Sequence, residues 1–318
     1  MLNISLATDG RETPEVFLAR ARAAGHAGAS RVWIANHLFE RDPVALAASA
    51  LAADDRLAVS LMAVNPFTVH PVQAAMAAAT LDEIYPGRVT LCLGVGAPLD
   101  LASLGLVIEK PLRPMREAMN IVRTLLAGES VSYEGQSFKA TGRCLASGRR
   151  PVPIVLAASG PQMLELAGAS GDGVLISAGS SVQFVRWCLS HVDLGAAGRP
   201  MRRSGMVYAA VDVDREIAYE RMRRLLAVLL RGAHHRRNLE LAGTELDQEA
   251  LRNAVAVGDW KHAEGLITDD VIANHAVCGT PTEVKARIAA YGAAGLDELV
   301  LSGTRDVLQT EALLKALI

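Results

Sequence analysis

Residues 57–71 read LAVSLMAVNPFTVHP, and this stretch decides how the rest of the chain is interpreted. An apolar, β-prone run stops at an Asn-Pro pair, and a second proline then opens an Ala-rich segment. Because proline lacks a backbone donor and restricts the residue before it, the first proline ends a strand and the second suits a first helical turn. The polar residues Asn65, Thr68 and His70 therefore follow the carboxyl end of a buried strand. That end carries the chemistry in a barrel of parallel strands; an ordinary connecting loop with two prolines is the alternative.

The same alternation of β-prone and Ala-rich amphipathic runs recurs along the chain, which indicates βα units and a parallel sheet. Strands are predicted at about 2–7, 31–35, 57–63, 89–93, 152–157, 173–177, 204–212 and 297–302. Helices are predicted at about 13–24, 43–53, 72–84, 112–127, 161–170, 181–193, 214–232, 281–294 and 305–317. Eight strands separated by helices predict an α/β fold of the (β/α)8 TIM-barrel type.

Two segments interrupt this alternation. Residues 130–151 contain VSYEGQSFK, two β-prone runs around a glycine, which predicts a hairpin after the fourth helix. Residues 233–279 are rich in charge and predict extra helices before the last strand. No linker divides the chain, so residues 1–318 are predicted to form one TIM-barrel domain with these two insertions.

Composition narrows the class of protein. The chain has 318 residues, of which 51% are hydrophobic, and a formal net charge of −2, so neither nucleic acid nor a membrane surface is an expected partner. Its four cysteines include no CxxC pair, which argues against a metal site or a disulfide framework. The amino terminus lacks the pattern of a signal peptide, and no apolar run reaches membrane-spanning length. We expect a soluble, cytoplasmic protein.

Two further strand ends carry candidate residues. The second strand ends in Asn36-His37, and a histidine at the barrel mouth can give or take a proton near neutral pH; a structural histidine in a buried turn is the alternative. The fourth strand is followed by Gly94 and Gly96, in the sequence GVGAP. A dinucleotide fingerprint would need a third glycine, so this segment is interpreted as one that lets a flat ligand approach the backbone.

The fifth and sixth predicted strands each end in small residues that open a helix. One segment is Ala157-Ala158-Ser159-Gly160-Pro161 and the other begins Ser177-Ala178-Gly179. Free amides and the helix dipole both favour an anion at such a position, so both segments are candidate phosphate-binding sites. A plain Ser-Gly-Pro turn is the alternative for the first.

Taken together, these motifs resemble the bacterial-luciferase-like family of flavin- and deazaflavin-dependent oxidoreductases, in particular its methylenetetrahydromethanopterin reductase-like branch. The resemblance extends over almost the whole chain, from the Trp33–His37 strand end to CGTPTEV at 278–284. It implies the eight-stranded barrel with an insertion after the fourth strand.

The resemblance also implies roles for individual residues. Asn36 and His37 would lie beside the reactive ring, with His37 as proton donor or orienting group. A non-prolyl cis peptide would fall at Met62-Ala63 behind the ring, and Asn65, with Thr68 nearby, would contact the coenzyme. The coenzyme phosphate would be held by residues 157–161 with help from residues 177–179.

The main functional hypothesis is hydride transfer between coenzyme F420 and a small organic substrate, in a homo-oligomer such as a homodimer. Residues 97–100 lack the glutamate that the related sugar-phosphate dehydrogenases use as an acid, which argues against a sugar phosphate as substrate. An FMN-dependent monooxygenase and a cofactor-free, non-catalytic barrel are the alternatives. Because F420 has an acidic tail, Lys110, Arg113 and Arg202 are candidate contacts for it.

Overall fold

The computed structural model describes residues 2–317, except for the side chains of Pro98 and Leu99. Its strands are β1 (Asn3–Thr8), β2 (Val32–Ala35), β3 (Val59–Val64), β4 (Val89–Leu93), β5 (Val131–Glu134), β6 (Lys139–Arg143), β7 (Ile154–Ala158), β8 (Gly173–Ile176), β9 (Arg202–Val211), β10 (Ala276–Gly279) and β11 (Glu298–Ser302).

Eight of these strands close into a parallel barrel in the order β1-β2-β3-β4-β7-β8-β9-β11. The ring closes where β11 pairs with β1, placing Glu298 opposite Asn3, and where β9 pairs with both β8 and β11. Each barrel strand coincides with one of the eight predicted strands. The predicted (β/α)8 barrel is therefore confirmed.

Helices surround the barrel: α1 (Pro14–His26), α2 (Pro43–Ala53), α3 (Pro71–Ile84), α4 (Pro98–Ser103), α5 (Leu112–Leu126), α6 (Pro161–Ser170), α7 (Val182–Ala196), α8 (Arg215–Leu230), α9 (Arg236–Ala242), α10 (Gln248–Val257), α11 (Trp260–Gly265), α12 (Asp269–His275), α13 (Pro281–Ala293) and α14 (Val307–Lys315). Every predicted helix is present. The sequence analysis did not predict α4, which follows β4 at the barrel mouth.

Four of the described helices, α1, α2, α3 and α13, begin with a capping side chain followed by proline, which fixes where the loop before each helix ends. The Asp42 carboxylate accepts from the amides of Val44 and Ala45, both at 2.9 Å, at the start of α2. Thr280 and Glu283 form the two halves of a capping box at the start of α13. These caps keep the loops at the carboxyl ends of the strands short.

A buried polar cluster fills the barrel near the amino ends of its strands. The Glu298 carboxylate accepts from Ser204 Oγ at 2.7 Å and from Trp33 Nε1 at 3.1 Å. Arg31 Nε lies 3.6 Å from the same carboxylate. Toward the carboxyl ends the interior instead contains small apolar residues such as Ala35 and Ala157. The barrel is therefore filled at its bottom and open at its mouth.

Both predicted insertions contain the expected elements. The strands β5 and β6 form an antiparallel hairpin, with Tyr133 opposite Ala140. The Glu117 carboxylate on α5 holds the turn of this hairpin by accepting from the amides of Ser137 at 2.9 Å and Phe138 at 3.1 Å. The second insertion contains α9 to α12, which pack with α8 around a separate apolar core. Strand β10 was not predicted; it extends the sheet by pairing with the end of β9.

Candidate active site

A cavity of about 180 Å³ opens at the carboxyl ends of the barrel strands, and we call it the mouth cavity. Nine of the residues singled out in the sequence line it: Asn36, His37, Met62, Ala63, Asn65, Thr68, Gly96, Ala157 and Ser177. Asp100, Leu175 and Met206 are among the residues that complete it and that the sequence analysis did not assign to the site. Six barrel strands or the loops that follow them thus contribute to one concave site.

His37 is the titratable residue in this cavity with the clearest chemical use. Its side chain is half-exposed, and Nδ1 lies 3.9 Å from Asp100 Oδ2 on α4. A carboxylate at that distance can orient the imidazole ring. The sequence analysis missed Asp100 because α4 was not recognised, although a proline at 98 could have indicated a helix start that carries Asp100 on its first turn.

The Met62–Ala63 peptide bond, on one side of the cavity, is cis, as the family resemblance implied. Gly94, which was expected to line the site, lies behind this bond and is buried. A Cβ on Gly94 would approach the Cβ of Ala63 to 2.8 Å and that of Ala157 to 3.3 Å. Gly94 therefore makes room for the cis segment instead of lining the cavity.

The Asn65 side chain forms hydrogen bonds within its own loop and to the loop after β4. Its Oδ1 accepts from the Phe67 amide at 2.8 Å and its Nδ2 donates to the Val95 carbonyl at 2.8 Å. Gly96 has a φ of +83°, and a Cβ there would collide with the Asn65 amide, so only glycine fits. Thr68 Oγ1 donates to the Asn65 carbonyl at 3.2 Å. One Nδ2 hydrogen of Asn65 remains available for a ligand.

His70, the last polar residue of the opening stretch, is a helix cap. Its Nδ1 accepts from the Val72 amide at 3.2 Å at the start of α3. It does not line the mouth cavity.

The loop from 157 to 161 leads from the mouth cavity to a second surface. Ala157 lines the cavity, Ala158 is buried, and Gly160 and Pro161 line a groove beyond it. Helix α6 begins at Gly160 without a side-chain cap, and a Cβ on Gly160 would meet nothing within 4 Å. Its first-turn amides are thus open to an external anion, which is the geometry that a phosphate needs.

The groove beyond this loop, which we call the basic groove, has a volume of about 1030 Å³ and is rich in positive charge. Lys110, Arg113 and Arg116 line it, with Glu109 as the acidic residue. The start of α5 also lies here and, like α6, has no side-chain cap. Lys110 and Arg113, two of the three candidate contacts for an acidic tail, therefore lie in this groove. Arg202 does not, because it starts β9 at the opposite end of the barrel.

The second candidate phosphate site is closed. Ser177 lines the mouth cavity, but Ala178 and Gly179 are buried beneath the second insertion. Asn238 on α9 donates to the Gly179 carbonyl at 2.8 Å and accepts from the Ser181 amide at 2.9 Å. The structure therefore does not place Ala178 or Gly179 where a ligand could reach them, a result of long-range packing that the local sequence could not reveal.

Within residues 2–317, none of the helices has both the length and the apolar character that a membrane crossing requires.

Comparison with known proteins connects this site to a family. The family model described as luciferase-like monooxygenase matches residues 3–298. The chain is 32% identical over 288 residues to the 5,10-methylenetetrahydromethanopterin reductase of Archaeoglobus fulgidus, covering 88% of this chain and 86% of that protein. It is 29% identical over 309 residues to the F420-dependent glucose-6-phosphate dehydrogenase of Beutenbergia cavernae, covering 92% and 88%.

Comparison with solved structures points in the same direction as comparison of sequences. The coenzyme F420-dependent tetrahydromethanopterin reductase of Methanopyrus kandleri superimposes with a TM-score of 0.91 at 24% identity, over 99% of this chain and 98% of that one. Because the family model covers nearly the whole barrel, the resemblance drawn from the motifs is confirmed: the chain belongs to the luciferase-like monooxygenase family.

Proposed function

We propose that this protein is an oxidoreductase that transfers a hydride between coenzyme F420 and a small organic substrate at the mouth cavity. Two of the relatives named above are F420-dependent by name. When bound, a deazaflavin ring supplies the hydride, so the protein's task is to orient the reactants and to manage the accompanying proton.

The observation that carries the choice of F420 is the basic groove. FMN ends at its phosphate, whereas F420 continues beyond it into an acidic tail. The groove begins where the phosphate would lie, at Gly160, and presents two uncapped helix starts together with Lys110, Arg113 and Arg116. Each of these features attracts negative charge. The groove can therefore hold an acidic tail. FMN has no such tail.

The mouth cavity fits the other end of the coenzyme. Its walls at Ala63 and Ala157 are methyl groups, and Gly96 presents bare backbone, so a flat ring can approach closely. Residues 157–161 then lead from the ring position to the open start of α6. His37 lies in the cavity wall, where it can hold or deliver a proton at the substrate oxygen or nitrogen.

An FMN-dependent monooxygenase is the second candidate, because the matching family model is described as luciferase-like monooxygenase. Both coenzymes share a tricyclic ring, a ribityl chain and a phosphate, so the mouth cavity does not separate them. The basic groove favours F420.

Equilibrium titrations with F420, with F420 lacking its glutamates, and with FMN test this choice. We expect full-length F420 to bind most tightly. A variant with Lys110, Arg113 and Arg116 all replaced by Gln should bind F420 roughly 3- to 150-fold more weakly, since each exposed charge contributes ~0.2–1 kcal/mol. The same variant should bind FMN with nearly unchanged affinity.

The matched control is Arg252→Gln, which removes an exposed arginine of α10 outside the basic groove. Tighter binding of FMN than of F420, or equal loss of both in the triple variant, would contradict the assignment to F420. The cytoplasmic location, the homo-oligomeric state and the organisation as one domain stay predictions from the sequence.

A further inference from the structure

A second cavity, of about 460 Å³, adjoins the mouth cavity on the side of β1, β9 and β11, and we call it the arginine chamber. Ala35, His37, Met62 and Met206 line both cavities, so the two are continuous at the histidine. A molecule in the chamber would thus lie beside His37 and next to the ring position. If the proposed function holds, the arginine chamber is where the substrate binds.

One wall of the chamber is apolar. Leu225 and Val228 of α8 and Trp260 at the start of α11 form it. This wall can pack against the hydrocarbon body of a ligand.

Arginine side chains also line the chamber. Arg11 meets Glu40 through its Nε at 3.3 Å, and Arg224 meets Glu264 through its Nε at 3.8 Å. Both arginine side chains remain accessible, with 74% of Arg11 and 51% of Arg224 exposed. Arg224 also lies over the Trp260 ring, 4.0 Å from its centroid, which holds the guanidinium in place.

Arg305 and Asp9 complete the charges on the chamber wall. Arg305 is exposed and forms no ion pair with the part of the chain that the structure describes. Arg20 also lines the chamber but is already occupied, by Glu12 and by Thr304 Oγ1 at 2.9 Å. Asp9 is the opposing acid. Arg305 and the two arginines that each contact one glutamate, Arg11 and Arg224, thus outnumber Asp9 on the chamber wall.

The uncharged polar side chains of the chamber can also donate hydrogen bonds. Burial raises the pKa of Tyr208 and the nearby Asp9 raises it further, so the phenol stays protonated. Thr8 is 2% exposed, and its Oγ1 has no hydrogen-bond partner among residues 2–317. A buried hydroxyl without a partner is unusual, and this one belongs to a residue of the chamber wall.

We infer that the substrate of this enzyme carries an oxyanion, a carboxylate or a phosphate ester, which Arg11, Arg224 and Arg305 bind while its reacting carbon faces His37. The apolar wall receives the rest of the molecule. Arginine suits this task because its paired amino groups match the two oxygens of such a group.

Simple probes test the inference without knowledge of the substrate. Benzoate, phenyl phosphate and neutral benzamide share one ring, and their dissociation constants can be measured by NMR saturation transfer, on protein with and without F420. We expect at least one anion to bind roughly 10-fold or more tightly than benzamide, as a charge-assisted hydrogen bond implies. The stronger of the two anions identifies the oxyanion.

Variants locate the bound probe. Arg224→Gln and Arg305→Gln should each weaken the anion roughly 3- to 30-fold, with little effect on benzamide. Arg221→Gln, on the same helix but paired with Asp212 outside the chamber, is the matched control and should have no effect. The triple Gln variant of the basic groove should likewise leave the anion's affinity unchanged.

Measuring the probes with and without F420 separates this inference from the proposed function. Anion binding that persists with F420 bound supports the chamber, whereas displacement by F420 would place the probe in the coenzyme's own site and overturn the inference. Equal affinities for benzoate, phenyl phosphate and benzamide would also overturn it. If the protein bound the anion through these arginines but did not bind F420, the inference about the chamber would stand and the proposed function would be wrong.

Discussion

The imidazole of His37 and the carboxylate of Asp100 face each other across the mouth cavity, with 3.9 Å between Nδ1 and Oδ2. The two residues come from different strand ends, His37 after β2 and Asp100 from the helix after β4. Their juxtaposition supplies a carboxylate near the histidine, although the residue preceding the histidine is an asparagine. In the proposed function, this makes His37 the residue best suited to handle a proton beside the coenzyme ring.

Replacing His37 by alanine should lower turnover by roughly 10²–10⁴-fold, the usual contribution of a general acid or base. Coenzyme affinity should change little, because His37 lies on the wall shared with the arginine chamber and away from the phosphate position at Gly160. Steady-state kinetics with a verified substrate, beside a coenzyme titration, measure both quantities. Unchanged turnover would mean that His37 has only a structural role.

Asp100→Asn tests the contact between the two residues. Both side chains are partly exposed, at 51% and 40%, so the pair is worth about 0.2–1 kcal/mol and its loss should cost turnover less than roughly 5-fold. The difference from wild type should shrink at about 1 M salt, where the Debye length falls to ~3 Å. A salt-independent loss as large as that of His37→Ala would mean that Asp100 contacts the reacting groups itself.

The polar cluster at the bottom of the barrel should matter for stability and not for the site. Glu298 and Arg31 have side chains only 4% and 12% exposed, and burial lowers the pKa of Arg31 to about 10. Glu298→Ala leaves this cation without its partner and should lower the free energy of unfolding by about 3–5 kcal/mol. Urea unfolding measures the loss, which should be smaller for Glu298→Gln. A loss below about 1 kcal/mol for the alanine variant would show that water or other groups replace the carboxylate.

Two buried histidines of the second insertion predict acid sensitivity. Burial lowers the pKa of His235 to about 3 and that of His275 to about 4, from an ordinary value of 6.5. Between those values and 6.5 the unfolded chain binds more protons than the folded one, so stability is complete above pH 6.5 and falls as the pH drops through that window.

His235→Leu should therefore flatten the acid side of the stability curve, because it removes one of the two groups. The Nε2 of His235 has no hydrogen-bond partner among the described residues, so leucine leaves no orphaned donor or acceptor. Melting temperatures of both proteins from neutral to about pH 5 measure the effect. Parallel curves for variant and wild type would mean that His235 is not the titrating group.

The strands and helices were predictable because proline and small polar residues mark most of the transitions between them. The run that ends at Asn65 and the proline at 71 are local signals, and the structure places β3 and α3 on either side of them. The residues that line the mouth cavity were predictable because the carboxyl ends of parallel strands lie together at one end of a barrel.

Interactions between distant segments were not predictable in the same way. Gly179 resembles Gly160 in sequence context, yet Asn238 covers one while the other is open to solvent. The basic groove likewise combines the starts of α5 and α6 with residues 136 and 137 of the hairpin turn, segments whose proximity only the folded chain reveals.

The most direct test of the coenzyme site is the affinity of Gly160→Asp for F420. The φ of −92° and the open space around Gly160 allow any side chain, so the variant should fold with an unchanged melting temperature. Its carboxylate would repel the phosphate at the start of α6, and we expect binding to weaken by at least ~1–3 kcal/mol, or roughly 5- to 150-fold. Gly265→Asp, at another open glycine, is the control and should bind F420 like wild type. Equal affinities and equal melting temperatures for wild type and Gly160→Asp would mean that the phosphate binds elsewhere, and would contradict the coenzyme site described above.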